Sequence, residues 1–249
     1  MNPLFSIITV TRNAELTLPA TIASVAEQTC RLFEYIVVDG VSSDSTLSIV
    51  EAADIPGKKV VSEPDSGLYD AMNKGLEMAR GDYVIFLNAG DTFHSPHTLQ
   101  MLADVAMDND YPGIIYGQTD IVDQDRKRIS SRHLTAPSVL TLDSFRDGMV
   151  VCHQAFVVLR KLTDNYDDRR YHFSADYDWC IRCLQRSYRN HYVDAVIIDY
   201  LAGGISIRNH RASLIERFRI MAKYYGFFPT LFKHIGFVWR ALRRWLTAQ

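Results

Sequence analysis

Four short apolar segments in the first ninety residues place the strongest constraint on how this chain can fold, because longer segments of helical period separate them. Short apolar runs that alternate with such segments are typical of βαβ units, which build a parallel sheet. The pattern predicts strands at Leu4–Thr11, Glu34–Asp39, Lys59–Ser62 and Tyr83–Asn88. It predicts intervening helices at Leu16–Gln28, Ser43–Ala53 and Leu68–Ala79.

The pattern is less regular from Tyr111 onward, where shorter strand candidates are separated by polar stretches. Mixed or antiparallel pairing is expected there. The candidate strands are Ile114–Tyr116, Thr119–Val122, Ala155–Leu159 and Ala195–Asp199, with a helix at Tyr177–Gln185. The fold class predicted from both halves is α/β, with a Rossmann-like mixed sheet flanked by helices.

Composition and charge divide the chain into one domain, residues 1–210, and a basic tail, residues 211–249. The chain has 249 residues, of which 47% are hydrophobic and 22% are charged, as in ordinary globular proteins. The tail holds eight Lys or Arg residues and one acid, Glu216, so its net charge is +7, whereas the remaining residues carry −9 of the total −2. This acidic remainder, without a recognisable binding motif, argues against a nucleic-acid partner.

Cysteine usage and hydropathy predict a cytoplasmic protein without a membrane span. The four cysteines form no evident disulfide framework, and the N-terminus lacks the features of a secretory signal. No run of about 18 apolar residues is free of charge. Any membrane contact is therefore expected to be peripheral.

Polar residues follow each of the first four predicted strands. In open α/β sheets ligands bind at the carboxyl ends of parallel strands, where carboxylates accept hydrogen bonds from a nucleoside or hold a divalent cation. Asp, Asn, Ser and Gly are also ordinary turn and capping residues. Four clusters at consecutive strand ends nevertheless favour a ligand site. The clusters are Thr9–Asn13, Asp39–Asp44, Glu63–Gly67 and Asn88–Asp91.

Two other features of the sequence favour structural roles or exclude an enzyme class. Cys180 and Cys183 have C-x-x-C spacing, but no second pair accompanies them and they fall inside a predicted helix, so core packing is expected. No G-x-G-x-x-G follows the first strand, which argues against a dinucleotide dehydrogenase.

Several stretches of the sequence resemble the family 2 glycosyltransferases, whose inverting members have the GT-A fold. The resemblance runs from Phe5 to Ser206 and extends to enzymes of exopolysaccharide biosynthesis, colanic acid in particular. It implies a nucleotide-sugar-binding half over 1–91 and an acceptor-binding half over 111–210. The stretches are FSIITVTRN, YIVVDGVSSDST, SEPDSGLYDAMNKGLEMARGDYVIFLNAGD, CHQAFVVLR, SADYDWCIR and AGGIS.

The same resemblance implies roles for individual residues. Asp176 takes the place of the catalytic base, and Asp91 that of a ligand for Mg²⁺ or Mn²⁺. One carboxylate in Asn88–Asp91 replaces the two or more that the family usually has. Residues implied on the donor side are Thr9, Asn13, Asp39, Asp65, Arg80 and Asn88. Residues implied on the acceptor side are His153, Gln154 and Asp178.

The residue types suit transfer of a sugar to a hydroxyl. A base removes the proton of the attacking hydroxyl, and a cation with oriented donors stabilises the departing nucleoside diphosphate. Two alternatives stay open at this point. A sugar nucleotidyltransferase would need an early Gly-rich loop with Arg or Lys to hold a triphosphate, and none is present. A non-catalytic, membrane-associated assembly factor would bind no nucleotide.

The end of the tail predicts contact with a membrane surface. Over 229–249 basic residues occupy one helical face, and Trp, Phe and aliphatic residues the other, as in helices that lie in anionic headgroups. We therefore expect a peripheral protein on the cytoplasmic face of the inner membrane, with a nucleotide-sugar donor and a lipid-linked saccharide acceptor. The alternative is a helix packed on the domain or on another subunit. The apolar face comprises Leu231, Phe232, Ile235, Val238, Trp239, Leu242, Trp245 and Leu246. The basic face comprises Lys233, Arg240, Arg243 and Arg244.

Overall fold

A computed structural model describes residues 3–203 and 209–236 of the chain. The described residues form one nine-stranded mixed sheet with helices packed on it. The strands are β1 Phe5–Thr11, β2 Phe33–Asp39, β3 Lys59–Ser62, β4 Tyr83–Phe86, β5 Thr92–Phe93, β6 Ile114–Val122, β7 Arg128–Ser131, β8 Phe156–Leu159 and β9 Asn190–Leu201. The α-helices are α1 Leu18–Ala26, α2 Thr46–Ala52, α3 Leu68–Met78, α4 Thr98–Asp108, α5 Ala175–Arg186 and α6 His210–Tyr225.

The first four strands form the parallel part of the sheet, in the order β3-β2-β1-β4. Every residue of β1, β2 and β4 is buried, which explains why these strands read as continuous apolar runs instead of alternating patterns. Strand β2, which follows β1 in the chain, pairs with one side of β1, and β4 pairs with its other side. The gap between the carboxyl ends of β1 and β4 is therefore a topological switch point, where such sheets bind ligands.

The second half extends the same sheet with mixed pairing. β8 is antiparallel to β4 and β6, β9 is parallel to β6, and β5 is antiparallel to β9. The predicted mixed α/β fold is thus confirmed. The two strands predicted on either side of Gly117 are one strand, β6, whose register against β9 shifts there. A Cβ at Gly117 would stand 2.9 Å from the Ala195 carbonyl oxygen, so glycine permits the close approach.

Helix α4 and strands β5 and β7 were not predicted from the sequence. Strand β5 has two residues and β7 is exposed along its length, so neither produces an apolar run. Strand β9 is longer than predicted because half-buried polar residues precede its apolar centre.

The first part of the predicted tail, helix α6, packs on the domain. The Glu216 carboxylate accepts hydrogen bonds from the backbone N–H groups of His172 (2.9 Å) and Phe173 (2.8 Å), just before α5. Ile220 and Met221 are buried in the main core. Helix α6, at the start of the predicted tail, therefore belongs to the packed core of the described residues.

The remainder of the tail is described only in part. Residues 227–236 are helical. Residues 237–249, which include most of the predicted amphipathic face, and Gly204, Ile205 and Ser206 of the AGGIS stretch lie outside the described residues. No helix within 3–203 and 209–236 is long and apolar enough to cross a membrane.

Candidate active site

The switch point between β1 and β4 contains two buried polar atoms that lack a partner. Thr11 Oγ1 ends β1, and Asn88 Oδ1 follows β4; neither makes a hydrogen bond to the described residues. Buried polar atoms in proteins are nearly always satisfied, so two such atoms at one strand edge indicate a place where a ligand or water binds. We call the carboxyl ends of β1 to β4 the rim.

The Asp39 carboxylate organises the rim at the end of β2. Asp39 is fully buried and accepts hydrogen bonds from the Ser42 N–H (3.0 Å), the Ser42 hydroxyl and the Ser62 hydroxyl (2.7 Å). A Cβ at Gly40 would collide with the Asp65 carboxylate, so the loops after β2 and β3 are in direct contact. Asp65 also accepts from the Gly67 N–H at 3.0 Å, at the start of α3.

Asn13 connects the loop after β1 to the loop after β2. Its N–H donates to Ser42 Oγ (2.9 Å), and its Oδ1 accepts from the Ser43 N–H (2.8 Å). Its φ of 50° lies in the left-handed region, which asparagine tolerates better than most residues. Asn13 is exposed at the rim.

Two residues expected on the donor side do not face the rim. The Thr9 hydroxyl is fully buried in the sheet, where it donates to the Leu87 carbonyl (2.7 Å) and accepts from Tyr35 (3.1 Å). The backbone N–H of Arg80 donates to Glu34 Oε1 (2.5 Å) near the start of β2, roughly 16 Å along the strand from Asp39 at 3.3 Å per residue. The structure therefore corrects the sequence prediction, which had expected Thr9 and Arg80 on the donor side: neither residue faces the rim.

Asp91 is a buried carboxylate held by groups from distant parts of the chain. Its Oδ2 accepts from the Gln154 side chain at 2.6 Å, and its Oδ1 accepts from the Leu201 N–H at 2.9 Å. Burial raises the pKa of Asp91 to about 7, although these two hydrogen bonds and the charge of Arg126 oppose the rise. Gln154, expected on the acceptor side, thus orients Asp91.

The residues around Asp91 fit a divalent cation that is held by few protein ligands. The Asp91 N–H donates to the Asn88 carbonyl at 2.9 Å, so the two side chains belong to one tight loop, and Asn88 Oδ1 has no partner among the described residues. A carboxylate and an amide oxygen are ligands that Mg²⁺ accepts, and this ion commonly keeps several waters. No group of three or more His, Cys, Asp or Glu residues in the described part of the chain could hold a metal.

Asp176 lies in the first turn of α5 and is half-buried. Its Oδ1 accepts a hydrogen bond from the Tyr69 hydroxyl at 3.0 Å. Burial, with the charge of Asp176, raises the pKa of Tyr69 well above its ordinary value, so this phenol stays protonated and donates.

Packed side chains connect Asp176 to the segment that holds Asp91. Tyr69, which donates to Asp176, stacks on Tyr166 with ring centroids 5.5 Å apart. The Tyr166 hydroxyl lies 2.7 Å from Nε2 of His153, the residue before Gln154. The charges of Asp91 and Asp176 also both raise the pKa of Tyr200, which burial raises most.

His153 and Asp178 have structural roles instead of the expected acceptor-side ones. His153 is buried among Phe86, Tyr166 and Trp179, and its Nε2 lies 2.7 Å from the Tyr166 hydroxyl. Asp178 is on the face of α5 opposite Asp176. Its carboxylate accepts from three groups at 2.8 Å each, namely Arg182, Lys223 and Tyr224. Burial alone would raise the pKa of Asp178, but these bonds lower it.

Comparison with known proteins assigns the chain to a family. Residues 6–167 match the family described as Glycosyl transferase family 2. The chain belongs to glycosyl transferase family 2. A PGL/p-HBAD biosynthesis glycosyltransferase of Mycobacterium bovis is 34% identical over 211 residues, which are 82% of this chain and 79% of that protein. The amylovoran biosynthesis glycosyltransferase AmsB of Erwinia amylovora is 30% identical over 192 residues, 72% of this chain and 63% of that protein.

Solved structures share the fold of this family 2 glycosyltransferase. TarS 1–349 of S. aureus in complex with UDP-GlcNAc superposes with a TM-score of 0.70 at 18% identity, covering 94% of this chain and 73% of that one. The mannosyltransferase PcManGT of Pyrobaculum calidifontis, in complex with GDP-Man and Mn²⁺, gives 0.61 at 19% identity, covering 94% and 69%. The GT-A fold expected from the resemblance is therefore confirmed.

Sequence reasoning missed two residues at the site of this family 2 enzyme, Tyr69 and Arg126, whereas Thr11 lies in the strand-end cluster Thr9–Asn13 that the sequence predicted. Tyr69 lies within the longest stretch of family resemblance, but its contact with Asp176, 107 positions away, has no local signal. Arg126, in the turn between β6 and β7, donates to the Gly90 carbonyl at 2.6 Å, and no motif marks it.

The two cysteines with C-x-x-C spacing pack in the core, as predicted. Cys180 and Cys183 are fully buried and free. Burial raises the pKa of both thiols, as expected for cysteines that pack in a core.

The pKa of Asp91 predicts how stability depends on pH. Its value of about 7 exceeds the ordinary 3.8, so between these values the folded state binds more protons than the unfolded state, and stability falls as pH rises. At about 1.4 kcal/mol per unit, the loss reaches roughly 4 kcal/mol above pH 7. Asp91→Asn cannot ionise. We therefore expect the variant to gain stability relative to the wild type as pH rises from 4 to 8, measured by urea unfolding without ligand.

The matched control for this measurement is Asp125→Asn, which removes a charge from a side chain that is 79% exposed. Its free energy of unfolding should stay parallel to that of the wild type across the same range. If the free energies of unfolding of Asp91→Asn and the wild type differ by the same amount at every pH, the assignment of a neutral, buried Asp91 is contradicted.

Proposed function

We propose that this glycosyltransferase moves a sugar, with inversion, from a nucleotide-diphospho-sugar to an acceptor hydroxyl. The observation that carries the proposal is the arrangement at the switch point. Asn88 and Asp91 belong to one tight loop there that offers oxygen ligands, and Asp176 at the start of α5 is connected to that loop through Tyr69, Tyr166 and the segment with Gln154. The complexes of TarS with UDP-GlcNAc and of PcManGT with GDP-Man support a nucleotide-sugar donor.

Asp176 is the general base in this proposal. Tyr69 holds Oδ1, whereas Oδ2 makes no hydrogen bond to the described residues and is able to accept the proton of the acceptor hydroxyl. Proton removal as the new bond forms makes the hydroxyl an adequate nucleophile. A single displacement of this kind inverts the configuration at the anomeric carbon. The nucleoside lies over the loops that Asn13, Asp39 and Asp65 order.

Asn88 Oδ1 and Asp91 would hold Mg²⁺ or Mn²⁺. When bound there, the ion would supply positive charge next to the leaving diphosphate. The Mn²⁺ in the PcManGT complex supports this part of the proposal. Because Asp91 is neutral below pH 7, we expect Mn²⁺ to bind with release of a proton and more tightly as pH rises through 7.

We infer that the enzyme acts in exopolysaccharide assembly. The amylovoran relative supports this class of product, and the resemblance noted in the sequence points to colanic acid. We propose that the acceptor is a lipid-linked saccharide and that the enzyme contacts the cytoplasmic face of the inner membrane through residues 229–249. The described helical residues at the start of this region, 227–236, support contact with lipid, because Phe228 and Phe232 are each 69% exposed.

The membrane contact predicts that the full chain sediments with vesicles that contain phosphatidylglycerol. Replacing both Phe228 and Phe232 by Asp should reduce the bound fraction severalfold, since exposed aromatic side chains supply the apolar contact. Val139→Asp is the control, because Val139 is 72% exposed elsewhere. Equal sedimentation of the double variant and the control would contradict the membrane role of this segment.

The role of Asp176 predicts a separation of binding from turnover. We expect Asp176→Asn to lower the rate of transfer, or of donor hydrolysis, at least a hundredfold, because the amide cannot accept the proton. UDP or GDP should bind the variant as it binds the wild type, measured by the shift of the thermal midpoint in Mn²⁺. Arg80→Gln is the control, since Arg80 lies at the opposite edge of the sheet.

Three outcomes would contradict the proposal in different ways. Unchanged turnover in Asp176→Asn would remove its role as base. A wild-type protein that binds neither UDP nor GDP would remove the nucleotide-sugar donor. Release of pyrophosphate from a nucleoside triphosphate and a sugar phosphate would identify a nucleotidyltransferase instead.

A further inference from the structure

The turn between β6 and β7 brings a cation to the Asp91 loop. Arg126 lies in this turn with a φ of 64°, in the left-handed region that is unfavourable for a non-glycine residue. The turn is closed by hydrogen bonds between Asp123 and the N–H groups of Arg126 and Lys127. The backbone is thus held in a conformation that directs Arg126 away from the hairpin and toward Gly90.

The Arg126 guanidinium contacts the loop through one nitrogen. Its Nη1 donates to the Gly90 carbonyl at 2.6 Å, and its charge acts on Asp91, the next residue. The other guanidinium nitrogens have no hydrogen-bond partner among the described residues. The side chain as a whole is half-buried, and these donors remain accessible to a ligand. Arginine with free donors binds oxyanions well, because the planar fork matches two oxygens of a phosphate.

The neighbouring cations of the hairpin differ from Arg126. Arg128 forms an ion pair with the buried Asp120, with 2.6 Å between Nε and Oδ2. Lys127 is 79% exposed and lies 4.0 Å from Asp125. Neither interacts with Gly90 or Asp91. Of these three cations of the hairpin, Arg126 is therefore the one that contacts the loop of Gly90 and Asp91 at the rim.

The charge of the ligand favours a cation at this position. A nucleoside diphosphate is an anion, and a partly buried site that binds it needs positive charge or oriented donors to offset the loss of hydration. The Arg126 guanidinium, held at the Gly90 carbonyl, supplies both.

We propose that Arg126 binds the diphosphate of the donor directly, so that this enzyme retains part of its nucleoside diphosphate affinity without a metal ion. The guanidinium then bridges the Gly90 carbonyl and a phosphate oxygen. The inference rests on the proposed function, since it concerns the same donor, and it adds a residue from the second half of the chain to the donor site.

The test measures UDP and GDP binding by isothermal titration calorimetry, once with EDTA and once with Mn²⁺. In EDTA the wild type should bind one of the two nucleotides measurably. Arg126→Gln should bind it at least tenfold more weakly, and the loss should be smaller in Mn²⁺. Arg126→Lys keeps the charge and should recover part of the affinity. Lys127→Gln removes the same charge one residue away and should match the wild type.

The outcomes separate this inference from the proposed function. If the wild type binds neither nucleotide in either condition, the proposed function fails. If it binds only with Mn²⁺, or if Arg126→Gln binds as tightly as Lys127→Gln in EDTA, the role of Arg126 is wrong while the nucleotide site stands. Raising the salt concentration should weaken the EDTA-resistant binding of the wild type more than that of Arg126→Gln. Thermal midpoints of both Arg126 variants, measured without nucleotide, identify any loss of folding.

Discussion

The buried carboxylate of Asp91 is the constraint on which the site depends. Three separate parts of the chain converge on it: its own loop after β4, Gln154 before β8, and the N–H of Leu201 at the end of β9. Burying an ionised carboxylate is unfavourable unless hydrogen-bond donors surround it. The donors around Asp91 offset only part of this cost, and the pKa of Asp91 is therefore raised to about 7. Strongly shifted carboxylates in proteins cluster at functional sites. A positive ligand next to Asp91 would remove this cost, so ligand binding and local stability are coupled here.

An aromatic cluster positions the proposed base relative to that loop. The Tyr166 ring stacks on Trp179, with ring centroids 5.0 Å apart, and on Tyr69, with centroids 5.5 Å apart. The Tyr166 hydroxyl also forms a hydrogen bond with His153. Tyr69 then donates to Asp176. These side chains come from α3, α5 and the segments before them, so the cluster fixes α5 against the parallel half of the sheet. Its rigidity follows from close packing of large rings in the core.

The sequence predicted the parallel half of the fold well because fully buried strands leave continuous apolar runs. It also placed Asp39, Asp65, Asn88 and Asp91 at strand ends, where the structure has them. It could not show which face a side chain takes or which partners satisfy it. Thr9 therefore lies inside the sheet, Arg80 lies at the wrong edge, and Asp178 joins α5 to α6. No sequence pattern marked Arg126, because its position depends on the turn between β6 and β7, which is closed by hydrogen bonds between Asp123 and residues 126 and 127.

Hydrogen–deuterium exchange on the full chain, with and without UDP or GDP plus Mn²⁺, tests the central claim that the rim between β1 and β4 binds the donor. Nucleotide should slow exchange in the loops at 11–14, 39–45, 63–68 and 88–92, and should leave 79–82 at the opposite edge unchanged. Slower exchange confined to 79–82, or to the helical segment at 227–236, would contradict the account.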